Sequence, residues 1–324
     1  MKENIVLTGA SGFVGKILLR HLIKLNFNII IISREKKFEQ SDKITYVNID
    51  LLDKNVNFKE IIKSTSIFIN CAGEINNENK MYDLHVYFIK RILNQIIEAR
   101  EHKKRKINWI QLSSVGVYGP PNIANQPREI YEISNSNTNI MSIYEKTKLE
   151  ADKYILENFP KHNLNFCILR PSQIIGDYMP NESINKLINV IKKKLFFYIG
   201  KKGAIRSYVH VEDVARAIIL IVKNINGIAK NKIYNISYDS FIEDIVEEII
   251  TQNNLNYKPA RYSENLIRFL LQFFSIIRIP LPLTMKRLNG LVSRTRYNSS
   301  IIKKELSFKF KYNPVYEINN LKRW

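Results

Sequence analysis

Cysteine is scarce in this sequence: two in 324 residues, Cys71 and Cys167, each inside an apolar run. Two such thiols supply neither a disulfide framework nor a zinc ligand set, and they point to buried, reduced side chains in a cytoplasmic protein. Acidic residues are also few, 30 against 50 Lys and Arg, for a formal charge of +20. That excess admits anionic partners: nucleic acid, phosphate-bearing small molecules or an anionic membrane surface. No dense arginine patch or reader motif accompanies it, and Lys, Asn and Ile abound throughout. It therefore reads as a bias of composition, and nucleic acid is not an expected partner. The start, MKENIVLTG, lacks the apolar core of a signal peptide. The most apolar later stretch, LIRFLLQFFSIIRIPLPL (266–283), is broken by Arg268, Arg278, Pro280 and Pro282. It falls short of the roughly 20 apolar residues that a bilayer span needs. An integral membrane segment is excluded on that ground, amphipathic packing is expected, and peripheral contact with a membrane is the alternative. No repeat or low-complexity linker interrupts the chain.

The apolar fraction, 45%, is that of a globular protein with a sizeable core. NIVLT (4–8), NIIIIS (28–33), ITYVN (44–48), SIFIN (66–70), INWIQLS (107–113) and NFCILR (165–170) are continuous apolar runs. Continuity, as opposed to alternation, is the mark of strands covered on both faces of a parallel sheet. Helical patterns near 14–25, 56–63, 82–102 and 143–158 separate them. The alternation predicts an α/β fold, a doubly wound parallel sheet of Rossmann type, with a smaller and mostly C-terminal substrate-binding region. The expected division assigns 1–174, with 205–236 returning to it, to the nucleotide-binding domain. Residues 175–204 and 237–324 are expected to form the substrate region. Beyond residue 175 helices are expected near 184–195, 212–224, 240–252, 264–278 and 298–305, with a strand at KIYNIS.

VLTGASGFVGKILLRHL places Gly9, Gly12 and Gly15 directly after the first strand and at the opening of a helix. A tight turn and a close approach of backbone to a pyrophosphate both call for glycine, and the helix start adds amide donors and the positive end of its dipole. Ser11, Phe13 and Val14 belong to the same loop. An acidic residue that would hold a ribose 2′-hydroxyl is expected at the end of the second strand of an NAD site; Ser33 and Arg34 stand there, followed by Lys36 and Lys37. Arg34 can pair with a 2′-phosphate, which favours NADP over NAD.

With these features the chain resembles the extended short-chain dehydrogenase/reductases, in their nucleotide-sugar epimerase/dehydratase branch. The resemblance rests on TGASGFVG, DLLD, NCAG, LSSVGVYGP, YEKTK, LRPSQIIG, RSYVHVEDVARA and RTRYNSSIIKKELSF, in that order and over nearly the whole chain. It implies that Gly9, Gly12 and Gly15 cradle the pyrophosphate and that Asp50 and Leu51 contact adenine. Cys71, Ala72 and Gly73 would line the cofactor's path, with Pro171 and Ser172 near the nicotinamide. Ser114, Tyr144 and Lys148 match the catalytic serine and the tyrosine–lysine pair. Val115 and Arg296 fall on the substrate side, and Arg206 matches an arginine that binds a nucleotide-sugar diphosphate. The helices near 82–102 and 143–158 would make a four-helix homodimer interface, and surface-polysaccharide synthesis would be the setting.

The chemistry fits those residue types. Hydride transfer at a carbinol carbon needs a proton moved on or off its oxygen, and a tyrosine must be depressed from about 10 to do so near neutrality. A lysine one turn away can supply that field. A second Tyr/Lys pair, Tyr198 and Lys202, is interrupted by Gly200 and followed by Gly203, so it lacks a helix. A 4,6-dehydratase needs an acid–base pair right after the catalytic serine, where Val115 and Gly116 stand. That leaves 4-keto reduction or C4 epimerisation of a UDP- or dTDP-sugar, with reduction slightly favoured by Arg34. A reductase of hydrophobic steroid- or flavanol-like carbonyls and a non-catalytic NADP(H)-binding sensor or scaffold are the competing readings. Arg206, Arg294 and Arg296 suit a diphosphate better than a sterol. His85 replaces the family's usual asparagine, and Tyr87-Phe88 its usual Gly-Thr; His85 reads first as a satisfied structural histidine and second as a proton relay. His210 and Asp213 read as structural, since no third metal ligand is suitably spaced.

Overall fold

Continuous β-branched runs extend side by side because their side chains pack on both faces of a pleated surface. In the computed structural model, which describes residues 4–25, 27–34, 42–100, 107–120, 127–134, 142–277 and 283–322, the first five strands are β1 (Asn4–Thr8), β2 (Asn28–Ser33), β3 (Ile44–Asn48), β4 (Thr65–Asn70) and β5 (Asn108–Leu112). A short β6 (Arg128–Ile130) precedes β7 (Asn165–Pro171). Then come β8 (Gln173–Ile175), β9 (Tyr198–Ile199), β10 (Ile205–His210), β11 (Lys232–Ile236), β12 (Tyr238–Phe241), β13 (Arg261–Tyr262) and β14 (Thr295–Tyr297). Seven of them form one sheet in the order β3-β2-β1-β4-β5-β7-β11, and every pairing in it is parallel. The order reverses between β1 and β4, which opens a crevice at the carboxyl ends of those strands.

The helices are α1 (Phe13–Ile23), α2 (Lys59–Ser64), α3 (Glu78–Tyr82), α4 (Phe88–Arg100), α5 (Ile143–Asn158), α6 (Ser183–Lys192), α7 (Val211–Asn224), α8 (Ile242–Gln252), α9 (Glu264–Ile276) and α10 (Met285–Val292). Side-chain alternation sends Ile5 and Leu7 of β1 to one face, where Leu18 and Leu22 of α1 meet Ile218 and Ile221 of α7. Val6 goes to the other, with Phe88 and Ile92 of α4 and Ile155 of α5. Phe68 stacks flat on Trp109 there, ring centroids 4.5 Å apart. Each such fully buried side chain contributes ~1.5–3 kcal/mol, so both helical layers are held firmly on the sheet.

Two departures from the sequence reading concern the site. The helix expected over 82–102 is not continuous: α3 and α4 are joined by a π-helical turn, Asp83–Tyr87. The stretch 205–210, which shows no clean run, is strand β10, and it pairs with β8 and β12 in a separate three-stranded sheet. The polar pair Arg206 and Ser207 breaks its apolar run and hid it from a search for continuous ones. Arg278, Pro280, Pro282, Lys36 and Lys37 lie outside the described residues.

Candidate active site

The loop after β1 closes on itself through glycine. Gly9 takes φ +71°, and a Cβ there would sit 2.6 Å from the backbone of Cys71, the residue that follows β4. A Cβ on Gly15 would lie 2.0 Å from the Gly9 carbonyl oxygen, and one on Gly12 3.2 Å from it. The Gly12 amide donates to that same oxygen at 2.9 Å, and the Cys71 amide to the Thr8 carbonyl at 3.2 Å. The loops after β1 and β4 are thereby locked across the crevice, with Gly12 as the N-cap of α1 and no acidic residue in its first turn. A pyrophosphate fits this cradle: bare backbone, a helix start and no carboxylate to repel it.

Ser114, Tyr144 and Lys148 come together from two elements. Ser114 follows β5 and caps the short 3₁₀ turn Val115–Tyr118, its Oγ accepting from the Gly116 amide at 3.1 Å. Tyr144 and Lys148 rise from the first turns of α5, which a capping box starts: the Ser142 amide donates to the Glu145 carboxylate at 2.7 Å and the Glu145 amide donates to Ser142 Oγ. Ser114 and Tyr144 are hydrogen-bonded through their side chains. Lys148 Nζ lies 5.9 Å from the Tyr144 ring centroid and donates to the Leu112 carbonyl at 3.2 Å. Burial lowers Lys148 to about 8, against the pull of Asp152. Burial raises the Tyr144 phenol above the usual tyrosine value, and its bond to Ser114 only partly offsets this. Burial sets the direction of the Tyr144 shift, with Lys148 one turn away. The low-dielectric surroundings act on both groups, and a phenol that loses water keeps its proton.

His85 is buried on the π turn with both ring nitrogens engaged. The Glu74 amide donates to Nε2 at 2.9 Å, which leaves the proton on Nδ1 to donate to Thr147 Oγ1 at 2.8 Å. Its ring stands edge-on to Tyr144, centroids 5.7 Å apart. Burial, aided by Lys148, drives His85 down to about 2. It is neutral and satisfied, a support for the tyrosine and not a relay near neutrality.

Beneath the triad lies a network that the motif search passed over. Ser113 Oγ and Arg170 Nε each donate to Asp152 Oδ2 at 2.9 Å. Arg170 also donates to the Tyr118 hydroxyl at 2.9 Å, which in turn donates to Asn235 Oδ1 at 2.8 Å. Asp152 stands one helical turn beyond Lys148, inward-facing, and Arg170 is the middle residue of the LRP stretch; an acid in a helix at i+8 from the tyrosine was the available signal. The second pair is elsewhere: Tyr198 sits on β9 beneath the Arg261 guanidinium, 4.4 Å from its ring centroid.

The remaining candidates fall around the same crevice or beyond it. Ser11, Phe13 and Val14 follow the glycine cradle into α1. Arg34 is exposed at the end of β2. Asp50 Oδ1 accepts from the Leu52 amide, and the buried Leu51 accepts from Arg91 through its carbonyl at 2.6 Å. Cys71, Ala72 and Gly73 run from β4 toward Lys148, and an added Cβ on Gly73 would lie 3.5 Å from Lys148 Nζ and from His85 Nε2. Burial pushes the Cys71 thiol up to about 12. Pro171 ends β7, and Ser172 beside it has a buried hydroxyl with no partner among the described residues. Val115 is buried behind Ser114. Arg206 is held inside by Gly290 and Ile205 carbonyls, while its Nη2 is buried with no partner. Arg296 is exposed over the Phe241 ring. His210 and Asp213 are engaged otherwise: His210 stacks on Tyr312, and Asp213 holds Arg216 and the amides of Lys311 and Tyr312.

Residues 5–237 match the family described as the NAD dependent epimerase/dehydratase family. A "Putative UDP-glucose 4-epimerase" of Methanocaldococcus jannaschii is 27% identical over 280 residues, covering 80% of this chain and 87% of the relative. A "Bifunctional dihydroflavonol 4-reductase/flavanone 4-reductase" of Pyrus communis is 24% identical, covering 76% and 75%. The crystal structure of a UDP-glucuronic acid 4-epimerase from Bacillus cereus in complex with NAD superposes with a TM-score of 0.70 at 15% identity, over 98% of this chain and 97% of that one.

Proposed function

The chain belongs to the NAD dependent epimerase/dehydratase family, within the extended short-chain dehydrogenase/reductases, and from that membership we propose that it reduces a 4-keto nucleotide-sugar with NADPH. The observation that carries this reading is the meeting of Ser114, Tyr144 and Lys148 at the crevice. A phenol that keeps its proton is ready to donate, which is what reduction of a carbonyl requires first. Tyr144 would give that proton to the C4 oxygen, Ser114 would hold the same oxygen by a hydrogen bond, and Lys148 would anchor the ribose next to Gly73. The nicotinamide supplies the hydride when it is bound. Arg206, with its unpartnered Nη2, would take a diphosphate oxygen, assisted by Arg294 and Arg296. Arg34 favours NADP at the ribose.

Epimerisation at C4 is the second reading, favoured by the likeness to proteins named as epimerases. It starts with an oxidation and so needs Tyr144 ionised. Dehydration is disfavoured: Val115 and Gly116 occupy the acid–base positions, and Glu145 is spent on its capping box. A homodimer through α4 and α5, and a place in cytoplasmic surface-polysaccharide synthesis, complete the proposal.

The experiment is to denature freshly purified protein and identify released nicotinamide nucleotide. An empty site that then binds NADPH more tightly than NADH supports reduction; stoichiometric NAD favours epimerisation and overturns the reading of Arg34. Replacing Arg206 with Ala should raise KM for a nucleotide-sugar about tenfold or more, the worth of one charge-assisted hydrogen bond, and leave a neutral carbonyl substrate little affected. Equal effects on both would move the assignment to the hydrophobic-carbonyl reductases that the Pyrus communis relative represents.

A further inference from the structure

The positive charge is not an even bias of composition. Residues 183–211 hold seven Lys or Arg and no acidic residue, and residues 251–298 hold eight with one acidic residue, Glu264. Fifteen against one leaves fourteen of the twenty excess charges in these two segments. They fold together: β9 pairs with β13, and Ile199 shares a cluster with Leu271, Leu288 and Val292. Glu264 is itself tied to Arg268 at 2.7 Å.

On this basic side α9 gathers Glu264, Asn265, Arg268, Gln272 and Ser275 on one narrow stripe and is apolar over the rest of its circumference. Its inner side chains, Ile267 and Leu271, join that cluster. Leu266, Phe269, Phe273 and Ile276 recur at helical spacing on the opposite side and are 48%, 62%, 48% and 80% exposed. An apolar arc wider than the core covers leaves an exposed apolar strip of the kind that meets a nonaqueous surface. The start of the outer stripe adjoins Tyr262, whose ring lies 5.3 Å from that of Phe197. Three residues before Phe197 ends the exposed run Lys192–Lys194, a separation of at most about 10 Å along the chain.

We propose that the outer face of α9, with Lys192–Lys194 beside it, docks on an anionic phospholipid surface. The apolar stripe would enter the acyl boundary while the lysines meet headgroups, the arrangement of interfacial helices. A second copy of this chain suits the face poorly, because a two-fold contact would set the same lysines against one another. Nucleic acid would use the lysines and leave Phe269 and Phe273 idle.

The test is flotation of the full chain with vesicles of phosphatidylcholine alone and of phosphatidylcholine with phosphatidylglycerol, at low and high salt. Binding is expected to the mixed vesicles, weakened by salt. A K192Q/K193Q/K194Q variant should bind on the order of 100-fold more weakly, about fivefold per lysine. An F269S/F273S variant should lose binding while keeping its melting temperature, since both rings are exposed. The proposal is overturned if the wild type ignores the mixed vesicles, or if F269S/F273S floats as the wild type does. It is equally overturned if that variant only turns a sedimenting dimer into a monomer, or if a DNA duplex competes off the lipid with affinity unaffected by F269S/F273S.

Discussion

At the scale of single residues, His85 shows how a site can be set by a group that stays neutral near neutrality. Its two ring nitrogens are bonded to Thr147 and to the Glu74 amide, and its value stands near about 2 where a histidine ordinarily sits at 6.5. Below pH 6.5 the unfolded chain therefore binds a proton that the folded chain refuses. The contribution of His85 is full above that pH and lost as pH falls toward about 2, at up to ~1.4 kcal/mol per unit. His85→Asn should flatten the loss of urea stability between pH 7 and pH 5 by as much as ~2 kcal/mol relative to the wild type. Equal slopes for the two proteins would show that His85 is free to charge. The sequence marked His85 as a departure from its family and even ranked the structural role first. What it could not show was the partner, because Thr147 lies 62 positions away and is brought near by the π turn.

At the scale of elements, α5 carries two of the three triad residues on its first turns, so its start decides their placement. The capping box of Ser142 and Glu145 satisfies amides there that helical bonding cannot reach. Ser142→Ala should cost about 1 kcal/mol of stability, read as a lower denaturation midpoint, and should lower turnover through misplacement of Tyr144. Unchanged turnover and stability would mean that packing of Ala151 and Ile155 alone positions the helix. Most elements were legible in advance because their signals are local: β1, β2, β3 and α5 coincide with the runs NIVLT, NIIIIS, ITYVN and the YEKTK helix. Elements fixed by distant partners were not. β10 is interrupted by Arg206 and Ser207 and depends on β8 and β12, and the π turn Asp83–Tyr87 lies inside what reads as one helical run.

At the scale of the whole molecule, one buried ion pair ties α5 to the far strands of the sheet. Asp152 on α5 meets Arg170 on β7, which reaches Tyr118 and, through it, Asn235 on β11. Asp152→Asn would strand a guanidinium in the interior, and the expected cost is ~3–5 kcal/mol. Chemical denaturation should show it, and a D152L/R170M variant should recover much of the loss. Full stability in Asp152→Asn would mean that Tyr118 and the Glu132 carbonyl already satisfy Arg170. Charge, too, belongs to this scale: composition reported its total, and only the packing of 183–211 against 251–298 showed that two basic segments meet.

The lock between the loops after β1 and β4 has a consequence for how a nucleotide arrives. With the Gly9 carbonyl pressed between the Gly12 amide and Gly15, and Cys71 bonded to Thr8, neither loop has slack left to lose. Binding there needs no ordering of backbone, so its entropy is that of the ligand and its water, and association should proceed in one step without a slow rearrangement. The Gly12 amide should resist hydrogen exchange as well before any nucleotide is added as after.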